Sequence, residues 1–115
     1  MSAPPVDGTF AEYVALAADF AHPLPDEVDD EIGAFVEPVS VGIQACARAD
    51  LRAGASVAIM GAGPIGLVTF LVTRAFGATE VFVVDLLEHR LQLAQDLGAT
   101  AVVNAQRDHV PDAVA

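Results

Sequence analysis

Gly61, Gly63 and Gly66 stand in the spacing G-x-G-x-x-G within the run GAGPIG. The chemistry that this spacing serves is the binding of a pyrophosphate. Gly61 permits a tight turn, Gly63 lets the backbone approach the phosphates, and Gly66 allows a helix to pack closely on the preceding strand. That helix then presents unpaired N–H groups and a partial positive charge. The same spacing also occurs in plain tight turns, so its surroundings decide. Asp85 follows about twenty residues later, where a carboxylate can accept hydrogen bonds from the adenosine-ribose hydroxyls. A 2′-phosphate would meet like charge there, so the acid favours NAD over NADP. Arg90, five residues on, could lean over the adenosine edge; taken alone it reads as a solvated helix residue.

These residues need a strand before the glycines and an acid-bearing strand after them, and the chain supplies both. Ser56–Met60 (SVAIM) reads as a short apolar strand, and Leu67–Phe76 as an apolar helix closed by Gly77 in the usual left-handed position. Val81–Val84 (VFVV) is a second strand of β-branched and aromatic residues. Glu88–Leu97 is an amphipathic helix closed by Gly98, and Ala101–Val103 begins a third strand. The order β-α-β-α-β implies parallel strands, the first half of a doubly wound (Rossmann) α/β sheet. Upstream, Met1–Phe10 reads as a loop, Phe10–Leu16 (FAEYVAL) as a short strand, and the acidic HPLPDEVDDE as a linker. From Asp29 the spacing turns helical, Pro38 interrupts, and Val39–Arg48 resumes as a second helix. The division expected is therefore 1–28 and 29–115.

Composition narrows the partners. The formal charge of −11, with every basic residue an arginine and none clustered, argues against a nucleic-acid surface. The 115 residues are 54% hydrophobic, enough for a packed core. Cys46 is the sole cysteine, which excludes an internal disulfide and a cysteine-rich zinc site. His22, His89 and His109 show no metal-ligand spacing to one another or to Cys46. About twenty uncharged residues separate Arg52 from Arg74, long enough to span a bilayer. Three glycines and Pro64 at the middle of that stretch speak against a spanning helix, and a buried strand–turn–helix explains the same apolarity. With no secretory start, a cytoplasmic protein is expected.

The run GAFVEPVSVGIQAC, then GAGPIGLVTFLVTRAFGATEVFVVDLLEHRLQLAQDLGA, resembles the polyol branch of the zinc-dependent medium-chain dehydrogenases. PPVDGTF and LPDEV resemble that branch too. The resemblance implies NAD-linked oxidation of a secondary alcohol in a sugar alcohol of the xylitol or sorbitol type, giving a ketose; L-threonine is the alternative substrate within the superfamily. It implies that residues 1–28 are the end of a GroES-like, β-rich catalytic domain. By position, Pro64 and Ile65 join the three glycines as cofactor-binding residues, and Asp85 and Arg90 become the pair that holds the adenosine ribose. Glu37, otherwise an ordinary favourable charge at a helix start, matches a glutamate facing the catalytic zinc. The family's primary zinc ligands, a Cys and a His-Glu pair, have no match in this sequence. Zinc is thus not expected to be held by this chain alone, and the chain alone is expected to be inactive. Relatives are often homo-oligomers. Strand Ser56–Met60 would carry an unpaired edge able to meet a complementary chain or a second copy. A stand-alone nucleotide-binding or partner-docking module is the second reading.

Overall fold

The computed structural model describes residues 8–113, and most of the loop expected over Met1–Phe10 lies outside that range. Backbone contacts divide the chain into two units, Met1–Gly33 and Ala34–Ala115.

In the first unit no strand forms among the described residues. Phe10–Leu16 is irregular, with the Ala11 N–H turned back onto the Thr9 carbonyl at 2.8 Å. The strand expected there is absent for a physical reason: an apolar run becomes a strand only when a neighbour accepts its ladder of hydrogen bonds, and no described segment does. A single 3-10 turn spans Ala18–Phe20. Helix α1, Asp30–Ala34, starts where the Asp29 carboxylate accepts the Ile32 N–H at 2.8 Å, as a capping aspartate should.

The second unit opens with α2, Val36–Arg48. Pro38 does not interrupt it. The proline occupies the third position of the first turn, where its missing N–H would have had no intrahelical acceptor, so α2 starts three residues earlier than the sequence predicts. Gly42 and Cys46, four residues apart, are its buried positions. A Cβ on Gly42 would lie 3.0 Å from Val72 Cγ2 and 3.2 Å from Thr69 Cα, so α2 packs there against the helix carrying those residues at close range.

Three parallel strands follow: β1 (Ser56–Met60), β2 (Glu80–Asp85) and β3 (Ala101–Asn104), in the order β1-β2-β3. Helix α3 (Pro64–Ala75) joins the first pair and α4 (Glu88–Asp96) the second; a short α5, Val110–Ala113, comes last. The central strand β2 is buried on both faces, since the consecutive residues Val83 and Val84 are both inaccessible. Phe70 of α3 and Ala94 of α4 join Ile59, Val81 and Val83 in one core cluster. β1 is an edge strand of this sheet, and only Ile59 within it is buried.

Helices α2, α3 and α4 end in the same way. In each, the residue after the cap has positive φ (Asp50 +48°, Gly77 +91°, Gly98 +95°). The next N–H reaches five residues back: Leu51 to Cys46, Ala78 to Thr73, Ala99 to Ala94. Two of these three stops are glycines visible in the sequence. The Asp50 stop is not.

Candidate functional site

The parallel register ends β1 at Met60 opposite Val84, and two successive N–H groups then tie the chain to β2. Gly61 N–H donates to the Val84 carbonyl at 2.7 Å, and Ala62 N–H donates to Asp85 Oδ2 at 2.7 Å. Gly61 has φ +108°, a conformation that a Cβ would penalise. Gly63 caps α3 in extended geometry and Pro64 takes the first helical position, where no N–H is wanted. Gly66 is demanded by proximity: a Cβ there would overlap the carbonyl oxygen of Gly61. The helix start is thus held against the turn, and its first-turn N–H groups, Ile65 and Gly66 among them, lack acceptors within the helix.

Asp85 closes β2 with its side chain only 9% exposed. Besides the Ala62 N–H on Oδ2, it accepts the N–H groups of Leu86 and Leu87 on Oδ1, at 2.8 and 2.9 Å. The Ala62 hydrogen bond, then that from Leu87, holds its pKa below the usual aspartate value; burial opposes this, and Leu86 and the Arg90 charge add to it. The group is a carboxylate at neutral pH. Arg90, in the first turn of α4, brings Nη1 to 3.9 Å from Asp85 Oδ2. The same nitrogen would lie 4.0 Å from a Cβ on Gly63, so the guanidinium stands between the acid and the glycine turn.

Two depressions flank this turn at the carboxyl ends of the strands, where open parallel sheets bind ligands. One, of about 490 Å³, is lined by Met60 and Gly61, by Val84–Leu87 and Arg90, and by Ala105 and Gln106. The other, of about 520 Å³, is lined by Ile59–Gly61, by Gly63–Gly66 and by Thr69. They meet at Met60 and Gly61. The structure therefore brings Gly61, Asp85 and Arg90 to one depression and Gly61, Gly63, Pro64, Ile65 and Gly66 to the other. Ile65 is half-exposed, free to lie against a ligand.

The floor beyond β3 is a feature that the sequence did not disclose. Buried Asn104 donates from Nδ2 to Glu88 Oε2 at 2.9 Å, and its Oδ1 accepts the Gln106 N–H at 3.0 Å. Asp108 accepts the Asn104 N–H at 3.0 Å, and Arg107 donates to the same Glu88 oxygen at 2.9 Å. This network fixes the turn whose residues 105 and 106 line the first depression. The one sequence signal was an asparagine ending a strand four residues before an aspartate.

Glu37 is exposed in the first turn of α2 and lines neither depression. A zinc site takes four donors. Among the described residues no three of His, Cys, Asp and Glu are grouped to hold a metal. Cys46 is buried, its Sγ 3.5 Å from Thr73 Oγ1, and His109 pairs with Asp112 at 2.9 Å. The described residues by themselves do not fit a zinc ion.

Residues 64–115 match the family model described as zinc-binding dehydrogenase. Sorbitol dehydrogenase of Bacillus subtilis (strain 168) is 44% identical over 104 residues, 90% of this chain. Over these stretches the chain is similar to zinc-binding and polyol dehydrogenases. Its polyol resemblance is shared by the D-xylulose reductase of Saccharomyces cerevisiae, 47% identical over 102 residues and 89% of this chain. Among solved structures, a zinc-binding dehydrogenase from Sinorhizobium meliloti 1021 bound to NADP superposes with a TM-score of 0.88 at 38% identity, over 95% of this chain. In these three comparisons the chain spans 30%, 29% and 32% of the relative's own length. The parallel sheet and the likeness to this solved structure bear out the α/β, Rossmann-type reading of the crossover.

Proposed function

We propose that this chain binds the adenosine diphosphate half of NAD within an enzyme that oxidises a secondary alcohol of a sugar alcohol, of the xylitol or sorbitol type, to a ketose. The observation that carries the reading is the pairing of a helix start, held close to the turn by Gly66, with a part-buried carboxylate. Gly66 holds the N-terminus of α3 against the turn. Asp85 stands beside it at the end of β2, facing Arg90 and the depression. Pyrophosphate would lie on the first-turn N–H groups of α3, with Pro64 and Ile65 beside it, and the adenosine ribose would reach Asp85 and Arg90. When bound, NAD supplies a hydride acceptor: the carbinol carbon gives up hydride, the hydroxyl gives up a proton, and a carbonyl remains. The polyol names of the relatives in sequence support the substrate class.

Preference for NAD over NADP follows from Asp85, an anchored charge that a 2′-phosphate would face at close range. The relative bound to NADP makes this the point to test. NADH fluorescence titration should show saturable binding, with NADPH weaker by about tenfold or more. Equal affinities overturn the preference, and binding of neither nucleotide overturns the reading.

Glu37 is the carboxylate that the polyol resemblance turns toward metal and substrate, and its exposure in α2 leaves it free for that task. Glu37→Gln should leave NADH affinity unchanged while lowering polyol turnover in the active enzyme; unchanged turnover would remove Glu37 from the reaction. The described residues group no three donors, so this chain alone should bind nucleotide without oxidising xylitol or sorbitol. Oxidation by the purified chain with NAD would refute that. A cytoplasmic setting fits the single cysteine, and among the described residues no helix is long and apolar enough to cross a membrane. A homo-oligomer, or a complementary chain at the β1 edge, completes the proposed assembly.

A further inference from the structure

Asp85 makes more hydrogen bonds to backbone than a ribose acid requires. A carboxylate has about four lone-pair directions. Two of them, on Oδ1, are taken by Leu86 and Leu87, which lock the side chain onto its own loop. A third, on Oδ2, is taken by Ala62. One remains, on the side of Arg90 and the depression. A single direct bond to a ribose hydroxyl is all that fits without breaking the backbone contacts.

The Ala62 bond spans twenty-three residues and lands on the least constrained part of the site. Ala62 is buried and flanked by Gly61 at positive φ and by Gly63. Glycines on both sides leave the intervening peptides free to rotate unless something holds them. Gly61 N–H is held by the Val84 carbonyl, which extends the β1–β2 ladder by one bond. The next N–H has no strand left to pair with, and its acceptor is the Asp85 side chain.

We propose that Asp85 is a positioning residue for the phosphate-binding turn: by holding the Ala62 N–H it sets the direction in which the start of α3 presents its unpaired N–H groups, independently of any bond to the ribose. This rests on the reading of the turn as a nucleotide site. The consequence is that loss of Asp85 weakens phosphate binding even for a ligand with no ribose hydroxyls.

The test compares ADP with 2′,3′-dideoxyadenosine 5′-diphosphate on the protein and on Asp85→Asn, by calorimetric titration. Asparagine keeps the size of the side chain but turns an NH2 group either toward the Ala62 N–H or toward those of Leu86 and Leu87. The positioning role requires Asp85→Asn to bind the dideoxy ligand roughly tenfold more weakly than the wild type does. A loss confined to ADP, with dideoxy binding unchanged, overturns it and leaves Asp85 as a ribose ligand only. A wild type that binds neither ligand overturns the nucleotide reading itself, and the proposal with it. A second measurement needs no variant and no ligand. In the wild type, the Ala62 amide resonance should shift with acid in step with the Asp85 carboxyl resonance; an Ala62 amide indifferent to that titration overturns the proposal even if Asp85→Asn fails to fold.

Discussion

Phe10–Leu16 and Ser56–Met60 are both short apolar runs, and only the second is a strand. Around the first run Phe10, Tyr13 and Phe20 are all exposed, Phe20 to 77%. Around the second, Phe70 is 1% exposed and Val81 and Val83 are wholly covered. Hydrophobicity does not separate the two. What separates them is a partner. Met60 is followed by a turn that returns a helix over the sheet, and residues 80–84 then supply the parallel ladder; no described segment does this for FAEYVAL. An apolar run is a claim on burial that only a closing connection can meet.

The largest expected effect puts that difference into free energy. Phe70→Ala should cost about 3–5 kcal/mol, through lost transfer energy and the cavity left behind. Phe20→Ala should stay within about 0.5 kcal/mol, as for other exposed sites. Urea denaturation of the two variants measures both. Similar costs would mean that the segment following the first run is packed in solution, and the contrast would collapse.

Gly66→Ala sharpens the comparison at the connection itself. Its Cβ would overlap the Gly61 carbonyl, and backbone on both sides gives no easy relief. The helix start must move off the turn, at about 1–3 kcal/mol for an overpacked contact. NADH affinity should fall by more than stability does, since the N–H groups at the start of α3 move with it. A variant that binds NADH normally would show that the close approach serves packing alone.

A smaller effect depends on pH. The Asp85 pKa is lowered in the folded protein, so its contribution to stability is complete above the ordinary aspartate value of 3.8. It is lost as pH falls through the lowered folded value. The stability gap between the wild type and Asp85→Asn should therefore be full near neutrality and close in acid below 3.8. A gap that stays constant down to that range would mean that the backbone N–H groups do not favour the charged form.

How far all this was legible depends on the range over which each signal acts. The glycine turn, the strands around it and the acid at the end of β2 are written in local spacing, and the structure sets Asp85 against the turn. Arg90 was matched to Asp85 by resemblance, and by spacing alone it read as a solvated helix residue. What stayed hidden is settled by contacts between distant residues. Asn104 and Glu88 lie sixteen residues apart, and nothing near either names the other. The second bond that ties the turn to β2 belongs to the side chain of Asp85, whose spacing suggested only a ribose contact. Pro38 was read as a break because proline usually is one, and whether it ends or begins a helix depends on the residues before it. Glu37 owes its proposed role to resemblance alone, for among the described residues no three of His, Cys, Asp and Glu are grouped to hold a metal.

The smallest effect concerns the end of α2, the helix outside the β-α-β crossover. Its stop has the same hydrogen bonds as those of α3 and α4, but Asp50 stands at positive φ where the crossover helices have glycine. Aspartate tolerates that region better than most residues, yet its Cβ still crowds the following carbonyl. The offsetting gain, an ion pair to Arg52 at 2.8 Å, is exposed on both sides and contributes little. Asp50→Gly should therefore stabilise the fold by about 0.5–1 kcal/mol. Gly98→Asp, with open space around it, should cost a similar amount, and Gly77→Asp more, because its Cβ would meet Ala53 at 3.1 Å. Thermal midpoints of the three variants decide it. If Asp50→Gly destabilises instead, the exposed pair outweighs the backbone strain, and α2 is held by its surface rather than by the terminus it shares with the crossover helices.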